Sequence, residues 1–252
     1  MLKHPPKCFA SIFYFCSIKI QVGRQMSEFI SPELIEQFNK AAQLSREGKY
    51  EESLAEWDRL LFSSKEEKQD KSRMMSGHFL GIAMMRRAWV LIDLKKYEEA
   101  KQAFEEDIMK ACLGQFSVQE LYEYFFSYGN TLGELGDIDD MNDVFSRALK
   151  IASEELKDLS RCELTWTNLM LFAERAQAWE YLEGESRNAQ FFAKNVCSDL
   201  LMFKSKWHHI VALKGLNRIE EARKEADILL KALHKIGADD EATRLQKLID
   251  SL

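Results

Sequence analysis

From Leu121 to Ala152, apolar side chains recur at helical spacing, break once and resume. Phe125, Tyr128, Gly129 and Leu132 share one face, Gly136-Asp137 interrupts, and Met141, Phe145 and Ala148 share the face of a second helix. Apolar residues at i, i+3, i+4 and i+7 mark a helix with one buried stripe. A glycine accepts the left-handed conformation that ends a helix. The aspartate after it can cap the next helix by accepting a hydrogen bond from an orphan amide. The stretch therefore predicts two helices joined by a tight turn. Gly129 allows them to approach closely, and Phe145 is expected to pack into the first helix of its own hairpin.

The same turn recurs along the chain. It reads Gly48-Lys49-Tyr50-Glu51-Glu52-Ser53, then Lys95-Lys96-Tyr97-Glu98-Glu99-Ala100, then Asn217-Arg218-Ile219-Glu220-Glu221-Ala222, with a degraded copy at Trp179-Glu180-Tyr181-Leu182. Taking Tyr50, Tyr97, Ile138, Trp179 and Ile219 as equivalent gives intervals of 47, 41, 41 and 40 residues. Regular periods of this size indicate stacked repeats. The first hairpin opens at Ser31-Pro32-Glu33-Leu34, with serine as N-cap and proline at the first helical position. Its first helix runs to about Arg46 and its second from Glu51 past Phe62. The polar stretch Ser63–Ser76, containing KEEKQDKSR, lengthens the first interval and reads as a solvated helix extension or loop. The second hairpin covers about Gly77–Cys112, its end marked by Lys110-Ala111-Cys112. The fourth covers about Asp158–Val196 and the fifth about Asp199–Ile236. Gly237 then breaks the chain, and Ala238–Leu252 reads as one more amphipathic helix carrying Leu245, Leu248 and Ile249.

The pattern resembles the tetratricopeptide repeat family. In that family the first helix of each hairpin carries large apolar residues with one small residue among them. A Gly-Asp-aromatic-Glu-Glu-Ala turn follows, then an aromatic and a small residue. Phe125, Tyr128, Gly129, Leu132, Phe145 and Ala148 match; Met141 departs. Met84, Ala88, Leu91, Ala100 and Phe104 match in the second hairpin, where Asp107 departs. Trp166, Leu169, Ala173 and Ala189 align in the fourth, where Met170 and Ser186 depart. Leu213, Ala222 and Leu229 align in the fifth, where Ile210 replaces the small residue. The resemblance implies an all-α, right-handed superhelical solenoid of antiparallel helix pairs over residues 26–252, closed by the C-terminal helix. The family unit is about 34 residues, so each helix here gains about a turn.

Composition supports this class. Only Pro5, Pro6 and Pro32 occur, which suits long helices. Net charge is −6. Lys3, Lys7, Lys19 and Arg24 give residues 1–25 four positive charges and no acid, so the remainder carries −10. An acidic body argues against nucleic-acid binding, which needs phosphate neutralisation. Cys8, Cys16, Cys112, Cys162 and Cys197 are odd in number and form no Cys-x-x-Cys. Free thiols used as small core residues fit a reducing, cytoplasmic setting.

Residues 1–25 differ from the rest. The apolar run Cys8–Ile18 follows two lysines but is too short to span a bilayer as a helix, and no small-residue cleavage site follows it. Three readings stand: a start codon assigned ahead of Met26, an export signal or membrane anchor through residues 8–20, and a packed terminal element.

Chemical motifs are scarce. His208-His209 points two imidazoles about 100° apart on a helix, with no third ligand at helical spacing. Asp137, Asp139, Asp140 and Asp143 lack the glycine and terminal glutamate of a calcium loop and suit the positive end of a helix. No phosphate loop, dinucleotide fingerprint or nucleophile elbow occurs. The expectation is a non-enzyme without metal or cofactor.

What remains is a surface. The resemblance implies that the first helices line the concave side. It assigns a peptide-binding groove to Asn39, Arg86, Trp89, Phe126, Asn130, Asn168, Trp207 and His208. Asn39, Arg86, Asn130 and Asn168 echo the family's carboxylate-binding positions, although its paired lysines are missing. Such a groove suits an amphipathic helix or an extended apolar segment of a protein partner. Alternatively, Trp89, Phe126 and Trp207 are buried between long helices and no open groove exists. The expected function is an adaptor or co-chaperone-like interaction module. A peptide-responsive regulator and a membrane-tethered assembly factor are the alternatives. Oligomeric state is not encoded in any of these features.

Overall fold

The computed structural model describes residues 30–62, 77–109 and 113–252. The run Cys8–Ile18 and the rest of the leader, Ser63–Ser76 and the helix end at Lys110–Cys112 lie outside the described residues. The described residues form eleven α-helices and no strand. They are α1 (Pro32–Arg46), α2 (Tyr50–Phe62), α3 (Gly77–Asp93), α4 (Tyr97–Gln102), α5 (Val118–Leu135), α6 (Ile138–Lys150), α7 (Leu159–Arg175), α8 (Trp179–Asn195), α9 (Asp199–Gly215), α10 (Ile219–Ile236) and α11 (Asp239–Ile249). Two of them run on as π-helical segments, α4 through Ala103–Ile108 and α6 through Ile151–Glu155. The helices pair as α1/α2, α3/α4, α5/α6, α7/α8 and α9/α10, with α11 covering the last pair. The second helix of every pair begins at one of the five residues aligned from the sequence.

The turns follow from one backbone device. Gly48, Lys95, Gly136, Gln177 and Asn217, each two residues before a second helix, are left-handed, with φ of 75°, 59°, 77°, 56° and 59°. Between hairpins Lys157, Cys197 and Gly237 do the same, at φ of 51°, 55° and 71°. The reward is two closing hydrogen bonds onto otherwise unpaired carbonyls. Lys95 N–H donates to the Ile92 carbonyl at 2.9 Å and Lys96 N–H to the Leu91 carbonyl at 2.8 Å. Gln177 and Ala178 repeat the pair on Glu174 and Ala173. Glycine is therefore dispensable at these corners although it is the least strained residue there.

Two local expectations are corrected. Asp137 does not cap α6 with its side chain. Its carboxylate instead accepts from Lys101 Nζ at 2.8 Å, which also stands near Glu105 and Asp140. The acidic cluster is thus partly neutralised across hairpins. Cys162 is a core thiol, and burial pushes it up to about 11. Cys197, expected in the core, is exposed because it occupies a left-handed corner between α8 and α9.

The departures at Met170, Ser186 and Ile210 have a packing explanation. In the first three hairpins a small residue on the first helix faces a large aromatic sixteen positions later: Ala41 and Trp57, Ala88 and Phe104, Gly129 and Phe145, all buried. A Cβ on Gly129 would stand 2.6 Å from the Phe145 ring. In the last two hairpins the sizes are exchanged. Met170 pairs by position with Ser186 and Ile210 with Ala226, all four fully buried. Close-packed interiors require total volume to be kept, not its distribution between facing helices.

The first helices also pack directly on one another, α1 on α3, α3 on α5, α5 on α7 and α7 on α9. Among the described residues, no two second helices pack to a comparable extent. The first helices are therefore the more closely spaced layer, the inner side of any curvature of the array.

Candidate functional site

From α3 to α9 the inner layer is held by hydrogen bonds between side chains of successive first helices, whereas α1 meets α3 through the Phe38 and Phe79 rings, 5.1 Å apart. Trp89 Nε1 donates to Ser127 Oγ at 2.9 Å, joining α3 to α5. Asn168 Nδ2 donates to Asn130 Oδ1 at 2.7 Å, joining α7 to α5. The Tyr122 hydroxyl lies 3.1 Å from Thr165 Oγ1 and 3.2 Å from the Arg161 carbonyl, and burial pushes its pKa well up. From α9, Lys204 Nζ donates to Thr167 Oγ1 at 3.3 Å, and His208 Nδ1 lies 2.8 Å from Glu174 Oε2. Ser198, the N-cap of α9, donates to Glu163.

These bonds place the residues assigned to the groove. Trp89, Phe126, Asn130, Asn168 and His208 are between 7% and 9% exposed, so they form the wall between helices. Phe126 is stacked on Tyr122, with centroids 5.6 Å apart. Arg86 is half-buried, its guanidinium 4.7 Å from the centre of the Trp89 ring. Asn39 is exposed on α1, and Trp207 is half-buried on α9. The structure thus brings Trp89 to Arg86, Asn130 to Asn168, and Trp207 to the same cleft as His208.

The family register places Ser127 and Thr167 on the groove face without pairing them with Trp89 and Lys204, and sequence reasoning does not identify Thr165 and Glu174 at all. The signal was available. Trp89 and Ser127, like Asn130 and Asn168, are 38 residues apart. That separation is one repeat of 41 less one helical turn, the offset between neighbouring first helices.

A cleft of about 230 Å³ lies between α9 and α11, lined by Phe203, Lys204, Trp207, His208, Glu241 and Arg244. The Phe203 and Trp207 rings have centroids 6.4 Å apart.

Other chemistry is limited among the described residues. No group of three or more His, Cys, Asp or Glu side chains could hold a metal ion. His209 is buried, with Nδ1 3.2 Å from Ser186 Oγ, and burial holds its pKa below the ordinary imidazole value. No described helix is long and apolar enough to cross a membrane.

Comparison with known proteins agrees with this geometry. Residues 82–106, from α3 into the π-helical end of α4, match the family model described as tetratricopeptide repeat. No curated protein matches the chain. The match to a tetratricopeptide repeat falls in the second hairpin, within an array of hairpins that share its turn and its helix-on-helix packing.

Proposed function

We propose that this protein is a non-catalytic interaction module that receives a peptide or helix of a partner protein on the inner layer of first helices. The observation that carries this reading is the cross-hairpin bonding of that layer. Trp89–Ser127, Asn130–Asn168 and His208–Glu174 hold successive helices in fixed register. A surface ordered before binding leaves most of the ordering cost with the partner. Within the layer, Trp89, Phe126, Asn130, Asn168 and His208 serve as the supporting wall. Asn39, Arg86 and Trp207 reach solvent and make the contacts; Trp and Arg are the residues that dominate interfaces. The repeat domain comprises residues 26–252, and its free thiols suit a reducing, cytoplasmic setting.

A random peptide library selected on the whole chain tests this. Selected peptides should lose tenfold or more in affinity on Arg86→Glu and keep it on Phe191→Ser, which lies on the second helix α8. Peptides insensitive to Arg86→Glu, Asn39→Asp and Trp207→Ala alike would place binding elsewhere and overturn the reading. Selection of no peptide at all would do the same.

A further inference from the structure

The cleft between α9 and α11 differs from the two seams before it in how it is closed. Between α5 and α7, the Tyr122 hydroxyl bridges to Thr165 and the Arg161 carbonyl, and the Arg161 guanidinium lies 5.1 Å from the Tyr122 ring centre. Between α7 and α9, Ser198 reaches Glu163 and Lys204 reaches Thr167. Between α9 and α11 the described residues make no side-chain hydrogen bond; the nearest, from Lys214 Nζ to Ser251 Oγ at 2.8 Å, lies past the end of α11. Phe203 stands one repeat on from Glu163 and two from Tyr122, and its ring has no hydroxyl to span the gap. The seam is left open where its walls are most aromatic.

The rims carry charge. Lys204 on α9 and Arg244 on α11 flank the opening from its two helices. Arg244 is exposed and makes no ion pair among the described residues, and Lys247, exposed, follows one helical turn later. Glu241 is the one acid lining the cleft. Cationic rims around aromatic walls stand out on a chain whose residues 26–252 carry −10. Such a combination favours a ligand with the opposite arrangement, an apolar centre between carboxylates.

We propose that this cleft seats one aromatic side chain of an acidic protein segment, the ring lying against Trp207 and Phe203 while flanking carboxylates pair with Lys204 and Arg244. This rests on the interaction-module reading and adds to it both a position, at the C-terminal end of the layer, and a chemistry. A space of about 230 Å³ accepts one large side chain rather than a whole helix face. Pairing at exposed rims is weakened by salt, so binding falls as ionic strength rises.

The experiment is fluorescence anisotropy of the whole chain with a labelled heptapeptide, Glu-Asp-Glu-Phe-Glu-Asp-Glu. Its controls replace the phenylalanine by alanine, or all acids by lysine. The expected result is saturable binding, lost tenfold or more with either control peptide. Lys204→Glu with Arg244→Glu should also cost tenfold or more, and the lysine peptide should bind that double variant better than the wild type. Arg244 is exposed and Lys204 half-buried with one long 3.3 Å bond to Thr167, so circular dichroism and thermal unfolding check that the double variant keeps the fold. Equal binding of the acidic and lysine peptides, indifference to the double charge reversal, or no loss with the alanine peptide would each overturn the proposal. Library-selected peptides that still depend on Arg86 would then leave the broader interaction reading standing.

Discussion

Asn168 donates a 2.7 Å hydrogen bond to Asn130 across the seam between α7 and α5, and both side chains are buried. Paired, the two amides hold adjacent hairpins in one register. Unpaired, either carries the penalty of a desolvated polar group. Asn168→Ala should therefore destabilise the protein by about 1–3 kcal/mol in urea unfolding. Replacing both residues by leucine should cost less than the sum of the two single changes. Additive losses would mean the pair does not act as a unit.

Gly129 and Gly215 each make room for an aromatic ring, Phe145 within the third hairpin and Trp179 from the hairpin before. A methyl group at either place must displace a buried ring, so Gly129→Ala and Gly215→Ala should each cost about 1–3 kcal/mol. Phe145→Leu should recover part of the first loss and none of the second. Thermal unfolding of the four variants decides it.

The left-handed corners at Lys95 and Gln177 carry side chains where glycine is strain-free. Left-handed backbone costs an ordinary residue about 1–2 kcal/mol, and glycine's greater freedom when unfolded returns part of that gain. Lys95→Gly and Gln177→Gly should each stabilise by roughly 0.5–1 kcal/mol. The same substitution at Lys96, outside the left-handed region, should not.

Two groups, half-buried Asp93 and buried His209, set a pH dependence. Burial at the end of α3 raises the Asp93 carboxyl from 3.8 to about 6. A raised pKa means its contribution is fully present below pH 3.8 and is lost as pH rises through about 6. Asp93→Asn should then stabilise the protein by about 1 kcal/mol at pH 7.5, after discounting for solvent reaching the group, with the gain shrinking toward pH 4. His209 is shifted the other way, its pKa lowered from 6.5 by burial. Folding favours its neutral form, so stability present above pH 6.5 is lost as pH falls from there. His209→Gln should flatten the wild-type decline on the acid side. Denaturant midpoints taken from pH 4 to 8 separate the two effects.

Much of this architecture is legible in the sequence. Tyr50, Tyr97, Ile138, Trp179 and Ile219 each begin a second helix, as their spacing indicates, and Phe145 packs on Gly129 as the small residue requires. Helical periodicity and turn chemistry act over a few residues, so a linear reading captures them. The reading was weakest in the fourth hairpin, where Met170 and Ser186 invert the usual sizes. A pattern of residue types hides an exchange that conserves volume between two helices.

The chain's own order of apolar, small and turn residues determined eleven helices, their pairing and the direction of their buried stripes. Only the tertiary structure decided which inner-layer side chains are available to a partner. Trp89 and Trp207 look alike in sequence, but Trp89 is consumed by Ser127 across a seam, and Trp207 borders a gap that α11 leaves open. Availability depends on what the neighbouring hairpin supplies some 38 residues away, a distance that follows from the repeat period but from no pattern within one helix.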